Sequence, residues 1–233
     1  MSDIYSDGTY LAITPSWHTE DSAWKARQIM RGIAQAKIQP ASVCDVGCGA
    51  GEVIRILADM LAQDVRLVGF EPSPQASGLQ RQDHSARLRF IQGDFLEQPM
   101  EHFELLLAID VFEHVPDYLG FLQAIRQRAD YAIFHIPLEL TALNLLNPLA
   151  LAHHRNTLGH LHFFDREIAL AAIKECGYDI LCDFFTNWIE ELPHRASRQP
   201  KLRRLLAAAK MIWGEQKAVQ WFGGHSLLVV TRC

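Results

Sequence analysis

Cysteine is scarce in this sequence of 233 residues, and the spacing of the cysteines does not indicate a set of disulfide bonds. The five cysteines are odd in number, scattered and mostly set inside apolar segments: Cys44, Cys48, Cys176, Cys182 and Cys233. A small secreted fold held by disulfides would need paired cysteines at regular spacing, so that class is not expected. Unpaired thiols favour a reducing compartment, and we expect a cytoplasmic protein.

Long apolar runs are also missing. The best candidate for a membrane span, LELTALNLLNPLALA, is too short and contains Glu139, Asn144, Asn147 and Pro148. The first ten residues, MSDIYSDGTY, show no basic start followed by an apolar run, so we expect no signal peptide. Neither a membrane-spanning nor a secreted protein is therefore expected.

Positive charge is in deficit. The chain has 22 Lys and Arg against 27 Asp and Glu, which gives a net charge of -5. Binding to a phosphate backbone needs concentrated Lys and Arg, so we expect no nucleic-acid partner. One basic segment, residues 195–213, carries an apolar stripe and suits a membrane-surface helix. A helix packed on the edge of the fold with a solvated basic face is the favoured interpretation.

The dominant pattern is an alternation of strand-like and helix-like segments. The strand-like runs are SVCDVGC, RLVGFEPS, LRFIQGD, FELLLAID, YAIFHIP, YDILCDFF and HSLLVVTR. Helical periods lie between most of them, and Asp165 and Gly177 are typical of the start and end of one such helix. We predict one α/β domain over residues 1–233, with a Rossmann-like, mostly parallel sheet covered by helices on both faces.

Two regions depart from this alternation. Residues 1–40 precede the first strand and predict an N-terminal helical cap, and residues 138–162 follow the fifth strand as an inserted loop with four histidines. Residues 41–137 then form the ligand-binding half, and residues 163–233 the C-terminal half. Added segments at the ligand end of such a sheet are where α/β enzymes usually vary their substrates.

The stretch SVCDVGCGAGE has the glycine-rich form of a nucleotide-binding turn. Its glycines, Gly47, Gly49 and Gly51, are spaced G-x-G-x-G, whereas the dinucleotide fingerprint is G-x-G-x-x-G. Asp45 and Glu52 flank the turn, and like charges there oppose a pyrophosphate at the helix N-terminus. No G-K-[ST] follows, so a Walker-type phosphate loop is absent as well.

Carboxylates follow the first four predicted strands: Asp45, Glu71, Asp94 and Asp110. The carboxyl ends of parallel strands meet at one edge of a sheet, so these acids should ring one cleft. A cleft of this kind suits a ligand with positive charge and hydroxyl groups, such as S-adenosylmethionine. Glu71 would accept both ribose hydroxyls, Asp94 the adenine amine, and Asp45 and Asp110 would lie near the amino-acid and sulfonium end.

The segments VCDVGCGAG, GFEPS, GDFLE and LLLAIDVFEHVPD, taken in this order, resemble the successive motifs of class I S-adenosylmethionine-dependent methyltransferases. The resemblance is greatest to the small-molecule branch that includes ubiquinone-biosynthesis-like enzymes. It covers residues 41–137 and resumes at GHLHFFDREIALAAIKECGYDI. It implies a seven-stranded sheet with an antiparallel last strand, and a cofactor-covering N-terminal helix in SWHTEDSAWKARQI. We complete the cofactor set with Cys48, Pro72 and Phe95 from the same motifs, and with Trp17.

The expected reaction is in-line transfer of a methyl group to an oxygen, nitrogen or carbon atom of a small molecule. His114 or His18 would remove a proton, and Glu113, His160 and Phe163 would line the acceptor pocket. An N-P-P-[FY] tetrapeptide, associated with methylation of amines in DNA and amides in proteins, is absent. We expect the 138–162 loop to form the acceptor wall together with Trp17 and His18.

Several alternatives remain open at this stage. The histidines His153, His154, His160 and His162 look like a metal set, but they lack cysteine partners and helical spacing, so we expect no metal. His114 has a second interpretation as a residue that only caps its loop. A nucleotide-dependent oxidoreductase and a non-catalytic, methyltransferase-like binding protein are the two rival functions.

Overall fold

The computed structural model describes residues 5, 7–81, 86–147, 149–197 and 199–233. Its centre is a seven-stranded sheet in the order β3-β2-β1-β4-β5-β7-β6. The strands are β1 (Ser42–Val46), β2 (Arg66–Glu71), β3 (Leu88–Gln92), β4 (Phe103–Ile109), β5 (Ala129–Pro137), β6 (Asp179–Thr186) and β7 (Ser226–Arg232). Strand β7 runs antiparallel to both of its neighbours, β5 and β6, and the other pairings are parallel. The predicted fold class and the antiparallel last strand are thereby confirmed.

Helices cover both faces of the sheet. They are α1 (Thr9–Ile13), α2 (Ser22–Ala36), α3 (Glu52–Met60), α4 (Pro74–Ser77), α5 (Tyr118–Arg126), α6 (Ala142–Leu146), α7 (Ala150–Leu158), α8 (Arg166–Glu175), α9 (Trp188–Glu191), α10 (Pro193–Ala196), α11 (Pro200–Trp213) and α12 (Glu215–Phe222). Helices α2 and α3 pack on one face through residues such as Ile29 and Leu57. Helices α5, α8 and α12 pack on the other face, with Leu122 and Ile173 in that core.

Local sequence signals set the ends of helix α8. The Asp165 carboxylate accepts a hydrogen bond from the backbone N–H of Ile168 at 2.8 Å, as a helix N-cap does. Gly177, just past the other end, has φ 88°, a left-handed conformation that glycine adopts without strain. Both predictions for this helix are confirmed.

The segment at residues 138–162 differs from the predicted loop, because helices α6 and α7 occupy most of it. Its short Leu- and Asn-rich runs lack a clear apolar face, and neither helix contains a buried residue. The segment is fixed by polar contacts instead, chiefly the pairing of Glu139 with His154 and His160 at 2.9 and 2.6 Å. The boundaries of the functional regions remain a prediction.

The basic segment forms helix α11. Leu206 and Ala209 are buried against Ile189 and Ala218, rather than on an edge of the sheet. Leu205 and Ile212, two further apolar residues of this helix, are exposed. Within the part of the chain that the structure describes, no helix has the length and apolarity needed to cross a membrane.

Candidate active site

A cavity of about 410 Å³ opens at the carboxyl ends of β1, β2, β4 and β5. The parallel register brings these ends together, since Val46 pairs with Phe70 and Ile109 with His135. The N-terminal segment, the start of α2, helices α6 and α7, and residues between α9 and the start of β7 supply the remaining walls. The volume lies within the range of roughly 300–1,000 Å³ that is usual for small-molecule sites.

The glycine turn after β1 forms the floor of the cavity under an aromatic cover. Gly49 has φ 56°, and a Cβ atom added there would lie 2.8 Å from Cδ1 of Trp17. Only glycine lets the indole come this close to the backbone. The Trp17 ring in turn packs edge-on against Tyr10, with ring centroids 4.8 Å apart. The N-terminal segment therefore lies directly over the turn.

Glu71, the last residue of β2, is fixed by two backbone donors. Its carboxylate accepts hydrogen bonds from the N–H groups of Gly49 and Ser73, each at 2.7 Å. The side chain is buried and lines the cavity. Each carboxylate oxygen can accept a second bond, so Glu71 couples the glycine turn to any ligand hydroxyls beside it.

Asp45 lies near the end of β1, is 2% exposed and lines the same cavity. Burial, together with the nearby charge of Glu71, raises the pKa of Asp45 to about 7, although the Lys25 ammonium opposes the shift. The carboxyl group is consequently close to half ionised at neutral pH. A ligand cation placed beside it would favour the ionised form.

Asp110 follows β4 with φ 55°, a left-handed conformation that is uncommon outside glycine. Its carboxylate contacts Nζ of Lys25 at 2.7 Å and Nδ1 of His135 at 2.6 Å. Burial alone would raise the pKa of Asp110, but these two partners hold it well below its usual range. Nε2 of His135 continues the chain to the Thr186 hydroxyl at 3.0 Å. Asp110 is therefore an ionised group, braced from helix α2 and strands β5 and β6.

Glu113 has the most unusual environment in the cavity. It is completely buried, and neither carboxylate oxygen has a hydrogen-bond partner among the residues that the structure describes. Burial and the charge of Asp110 raise the pKa of Glu113 well above its usual range. An unpartnered buried carboxyl group is costly, and this one lines the cavity.

His114 presents a defined nitrogen to the cavity. Nδ1 lies 3.2 Å from the carbonyl oxygen of Gly159 and 2.9 Å from the Tyr5 hydroxyl. A carbonyl oxygen can only accept, so Nδ1 carries the proton and Nε2 carries the lone pair. Burial and the nearby His160 lower the pKa of His114 to about 3, which keeps the ring neutral.

His160 faces His114, with ring centroids 4.7 Å apart. Its Nδ1 lies 2.6 Å from a carboxylate oxygen of Glu139. Burial would raise the pKa of Glu139, but hydrogen bonds from His154 and His160 lower it, so Glu139 is an ionised acceptor. Nδ1 of His160 is therefore the donor, and its Nε2 is left for another partner.

This geometry can be compared with known proteins. A family model described as "Methyltransferase domain" matches residues 17–183, from the aromatic cover to strand β6. The chain belongs to the methyltransferase domain family. The resemblance found in the sequence is thereby confirmed at the level of the family, and the matches do not single out the ubiquinone-biosynthesis-like branch.

Two curated methyltransferases are similar to part of this methyltransferase domain. A 2-phytyl-1,4-naphtoquinone methyltransferase from Thermosynechococcus vestitus is 38% identical over 63 residues, which cover 26% of this chain and 28% of the relative. A probable chloroplastic tocopherol O-methyltransferase from Oryza sativa subsp. japonica is 32% identical over 99 residues, 40% of this chain and 27% of the relative. The chain thus spans little more than a quarter of the length of these relatives.

Solved structures share the fold at low sequence identity. Magnesium protoporphyrin IX methyltransferase from Synechocystis PCC 6803, with bound SAH, has a TM-score of 0.57 at 14% identity, covering 93% of this chain and 83% of its own. A second structure is that of phosphoethanolamine N-methyltransferase 2 from Haemonchus contortus, in complex with phosphomonomethylethanolamine and S-adenosylhomocysteine. It has a TM-score of 0.60 at 14% identity, and the match covers 82% of this chain and 48% of the chain of that structure. These similarities support the methyltransferase fold.

Most of the predicted site residues of this methyltransferase domain lie around the one cavity. They are Trp17, His18, Asp45, Gly47, Cys48, Gly49, Glu71, Asp110, Glu113, His114 and His160. Gly51, Pro72, Asp94, Phe95 and Phe163 are not among the residues that line it. The binding roles assigned to all of these residues remain predictions.

Local packing explains why some predicted residues lie outside the cavity. Gly51 is the N-cap residue of helix α3, where an added Cβ atom would clash with the ring of Phe90. Asp94 is exposed, and its carboxylate accepts from the N–H of Leu96 at 2.8 Å. Phe95 is buried against the ring of Phe70. Pro72 links Glu71 to Ser73, and Phe163 is half-buried.

Sequence reasoning missed five residues that shape the methyltransferase site: Tyr5, Tyr10, Lys25, His135 and Glu139. Lys25 and His135 reach Asp110 from a helix and a strand that are distant in sequence, so no local motif marks them. The sequence signal that was available for Glu139 is its position as a lone acid within an apolar run that ends in histidines. The histidines on α7 were also placed wrongly in a loop.

Proposed function

We propose that this protein transfers a methyl group from S-adenosylmethionine to a small molecule bound in the cavity. The observation that carries the proposal is the acidic ring around a glycine turn, in which Glu71 accepts from the Gly49 N–H. Among the described residues that line the cavity, Lys25 is the only lysine or arginine, and it is paired with Asp110. A phosphate-bearing nucleotide would find no free cation there, whereas a cationic cofactor finds carboxylates.

The chain's own groups fit the parts of this cofactor. Glu71 would accept the ribose hydroxyls, because its carboxylate is fixed by backbone donors and faces the cavity. Asp45 would hold the ammonium group, and the methionine part would lie beside the glycine turn. Trp17 would cover the cofactor from above. S-adenosylmethionine supplies the methyl group as an electrophile on its sulfonium.

The protein's main contribution would be alignment. The cavity walls from β4, α6 and α7 would hold the acceptor in line with the reacting carbon. Burial lowers the pKa of His114 to about 3, and a group with so low a pKa is a weak base for a hydroxyl proton. This argues that His114 holds the acceptor rather than deprotonating it unaided, and His18 remains the second candidate for proton removal.

The proposed acceptor is a small molecule. Glu113, His160 and the apolar side chains of Leu143 and Leu158 line the cavity. An apolar wall with a few polar anchors is usual for such ligands. The two curated relatives are methyltransferases named for a naphtoquinone and a tocopherol, which are also small molecules.

Glu71→Ala tests the cofactor site by calorimetry with S-adenosylhomocysteine. Charge-assisted hydrogen bonds contribute roughly 1.5–3 kcal/mol, so we expect binding to weaken about ten- to a hundredfold. Glu97→Ala is the matched control, because Glu97 is an exposed acid on the turn after β3. A folded Glu71→Ala variant with unchanged affinity would refute the assignment of Glu71 to the ribose.

A further inference from the structure

We propose that Glu113, His114 and His160 form a binding site for a divalent transition-metal ion beside the cofactor site. One potential ligand atom from each of the three residues lies within 4.8 Å of the other two. The proposal is independent of which cofactor binds at β1 and β2. It revises the expectation, drawn from the sequence, that the histidines hold no metal.

The two imidazole rings of the cluster offer lone pairs, and the Glu113 carboxyl group would give up its proton to solvent when a metal ion binds. Nε2 of His114 carries a lone pair because Nδ1 donates to the Gly159 carbonyl at 3.2 Å. Nε2 of His160 does so in the neutral ring because Nδ1 donates to Glu139 at 2.6 Å. Both carboxylate oxygens of Glu113 are buried without a hydrogen-bond partner among the described residues. Two imidazole lone pairs and a carboxylate in one cluster match a cation.

The surroundings of the two histidines match those of metal ligands. A ligating histidine usually donates its second ring N–H to a carboxylate or a backbone carbonyl, which fixes the ring and its tautomer. His160 donates to the carboxylate of Glu139, and His114 donates to the backbone carbonyl of Gly159.

The backbone holds the three ligands as one unit. Glu113 and His114 lie in the short turn Phe112–His114 after β4. The carbonyl oxygen of Glu113 accepts hydrogen bonds from the N–H groups of Leu161 and His162 at 2.8 and 3.1 Å. This pair of bonds fixes His160 beside the turn, although the two segments are far apart in sequence.

The ligand set indicates the class of ion. Two imidazoles and one carboxylate are typical of Zn²⁺ and of non-haem Fe²⁺, whereas Mg²⁺ and Ca²⁺ prefer oxygen ligands. Bonds of about 2.0–2.2 Å would draw the three ligand atoms to roughly 3–3.5 Å apart. The nitrogen of His114 and an oxygen of Glu113 are already 3.9 Å apart. Remaining coordination positions would be open to an oxygen atom of the acceptor.

The test is a metal titration of the full chain, without a histidine tag and after dialysis against a chelator. We expect Zn²⁺ to bind with one-to-one stoichiometry by calorimetry, and Co²⁺ to give visible absorption bands that Zn²⁺ abolishes. His160→Ala should weaken binding at least tenfold. Glu113→Gln, which keeps the side-chain shape, should do the same while the thermal unfolding temperature changes little or rises.

His153→Ala is the matched control, because His153 is an exposed histidine on α7 outside the cluster. We expect it to bind Zn²⁺ as the unaltered protein does. Glu139→Gln removes the charged partner of His160 and should weaken binding about ten- to a hundredfold, as loss of such partners typically does. A merely structural role for Glu139 would leave the Zn²⁺ affinity unchanged.

Two results would overturn the proposal: no saturable binding of Zn²⁺ or Co²⁺ at millimolar concentration, or equal weakening by His153→Ala and His160→Ala. S-adenosylhomocysteine affinity, measured on the same samples, separates this proposal from the proposed function. Cofactor binding without metal binding would refute the metal site alone. Metal binding without cofactor binding would uphold the metal site and refute the proposed function.

Discussion

At the scale of single residues, the carboxyl group of Asp45 makes the cofactor site sensitive to pH. Its pKa is raised to about 7, first by burial and then by the charge of Glu71. Ionised Asp45 is the form that attracts an ammonium group. Cofactor binding should therefore be coupled to loss of a proton from this residue.

We predict that the affinity for S-adenosylhomocysteine rises with pH up to about pH 7 and then levels off. Below that pKa, one coupled proton gives about a tenfold change per pH unit. Calorimetry between pH 5.5 and 8.5 would measure the dependence. Asp45→Asn should bind more weakly and show a flatter profile. An identical slope in Asp45→Asn would show that another group controls the pH response.

The carboxyl group of Asp45 should also make the stability of the fold depend on pH, but in the opposite direction: stability falls as pH rises. Because burial raises the pKa of Asp45 in the folded state, the unfolded chain gives up this proton more readily. The contribution of Asp45 to the free energy of unfolding is full below about pH 4 and is lost as pH rises through about 7. Urea denaturation of Asp45→Asn should show a gain over the unaltered protein at pH 8 that disappears at pH 4. A constant difference at both pH values would contradict this.

The close contact between Gly49 and Trp17 leads to a third prediction at the residue scale. A Cβ atom at Gly49 would meet the indole at 2.8 Å, at a φ of 56°. Gly49→Ala should lower the free energy of unfolding by about 1–3 kcal/mol through backbone strain, plus the cost of the clash. In a Trp17→Ala background the clash disappears and only the strain remains. Equal losses in the two backgrounds, measured by urea denaturation, would show that the indole does not contact the turn in solution.

At the scale of elements, we expect helices α6 and α7 to contribute to acceptor binding and not to cofactor binding. Leu143 and His154 line the cavity from these helices, whereas Asp45 and Glu71 belong to strands β1 and β2. We predict that replacing residues 142–158 by a short glycine-serine linker abolishes methyl transfer and leaves S-adenosylhomocysteine affinity within a few fold. Calorimetry on the shortened protein checks the second half of this prediction. A loss of cofactor affinity above a hundredfold would place the two helices in the cofactor site.

The elements also show where sequence patterns are informative. Strand β4 and helix α8 have strong signals, a continuous apolar run and a capped helical period, and the structure confirms both. The sequence of helix α7 shows no apolar period typical of a helix. None of its residues is buried, and the helix is held by the contact of His154 with Glu139. A helix of this kind depends on a tertiary contact that no local pattern reveals.

At the scale of the whole molecule, strand order and the meeting of strand ends determine the site. The alternation of elements predicted the parallel sheet, and the sheet brought Asp45, Glu71 and Asp110 to one cavity as expected. Asp94 was expected there too, but β3 lies at the sheet edge and Asp94 is exposed beside its own turn. The ion pair of Lys25 with Asp110 could not be predicted, because it depends on how α2 lies across the finished sheet.

Thermal unfolding of the full chain with S-adenosylhomocysteine, compared with NADH at the same concentration, tests the central claim most directly. A ligand that binds only the folded state stabilises it by about 2.7 kcal/mol at one hundred times its dissociation constant. We expect S-adenosylhomocysteine to raise the unfolding temperature in a concentration-dependent way and NADH to leave it unchanged, since Glu52 and Asp45 oppose a pyrophosphate at the glycine turn. No shift with millimolar S-adenosylhomocysteine, together with a clear shift with NADH, would contradict the proposed function and favour an oxidoreductase.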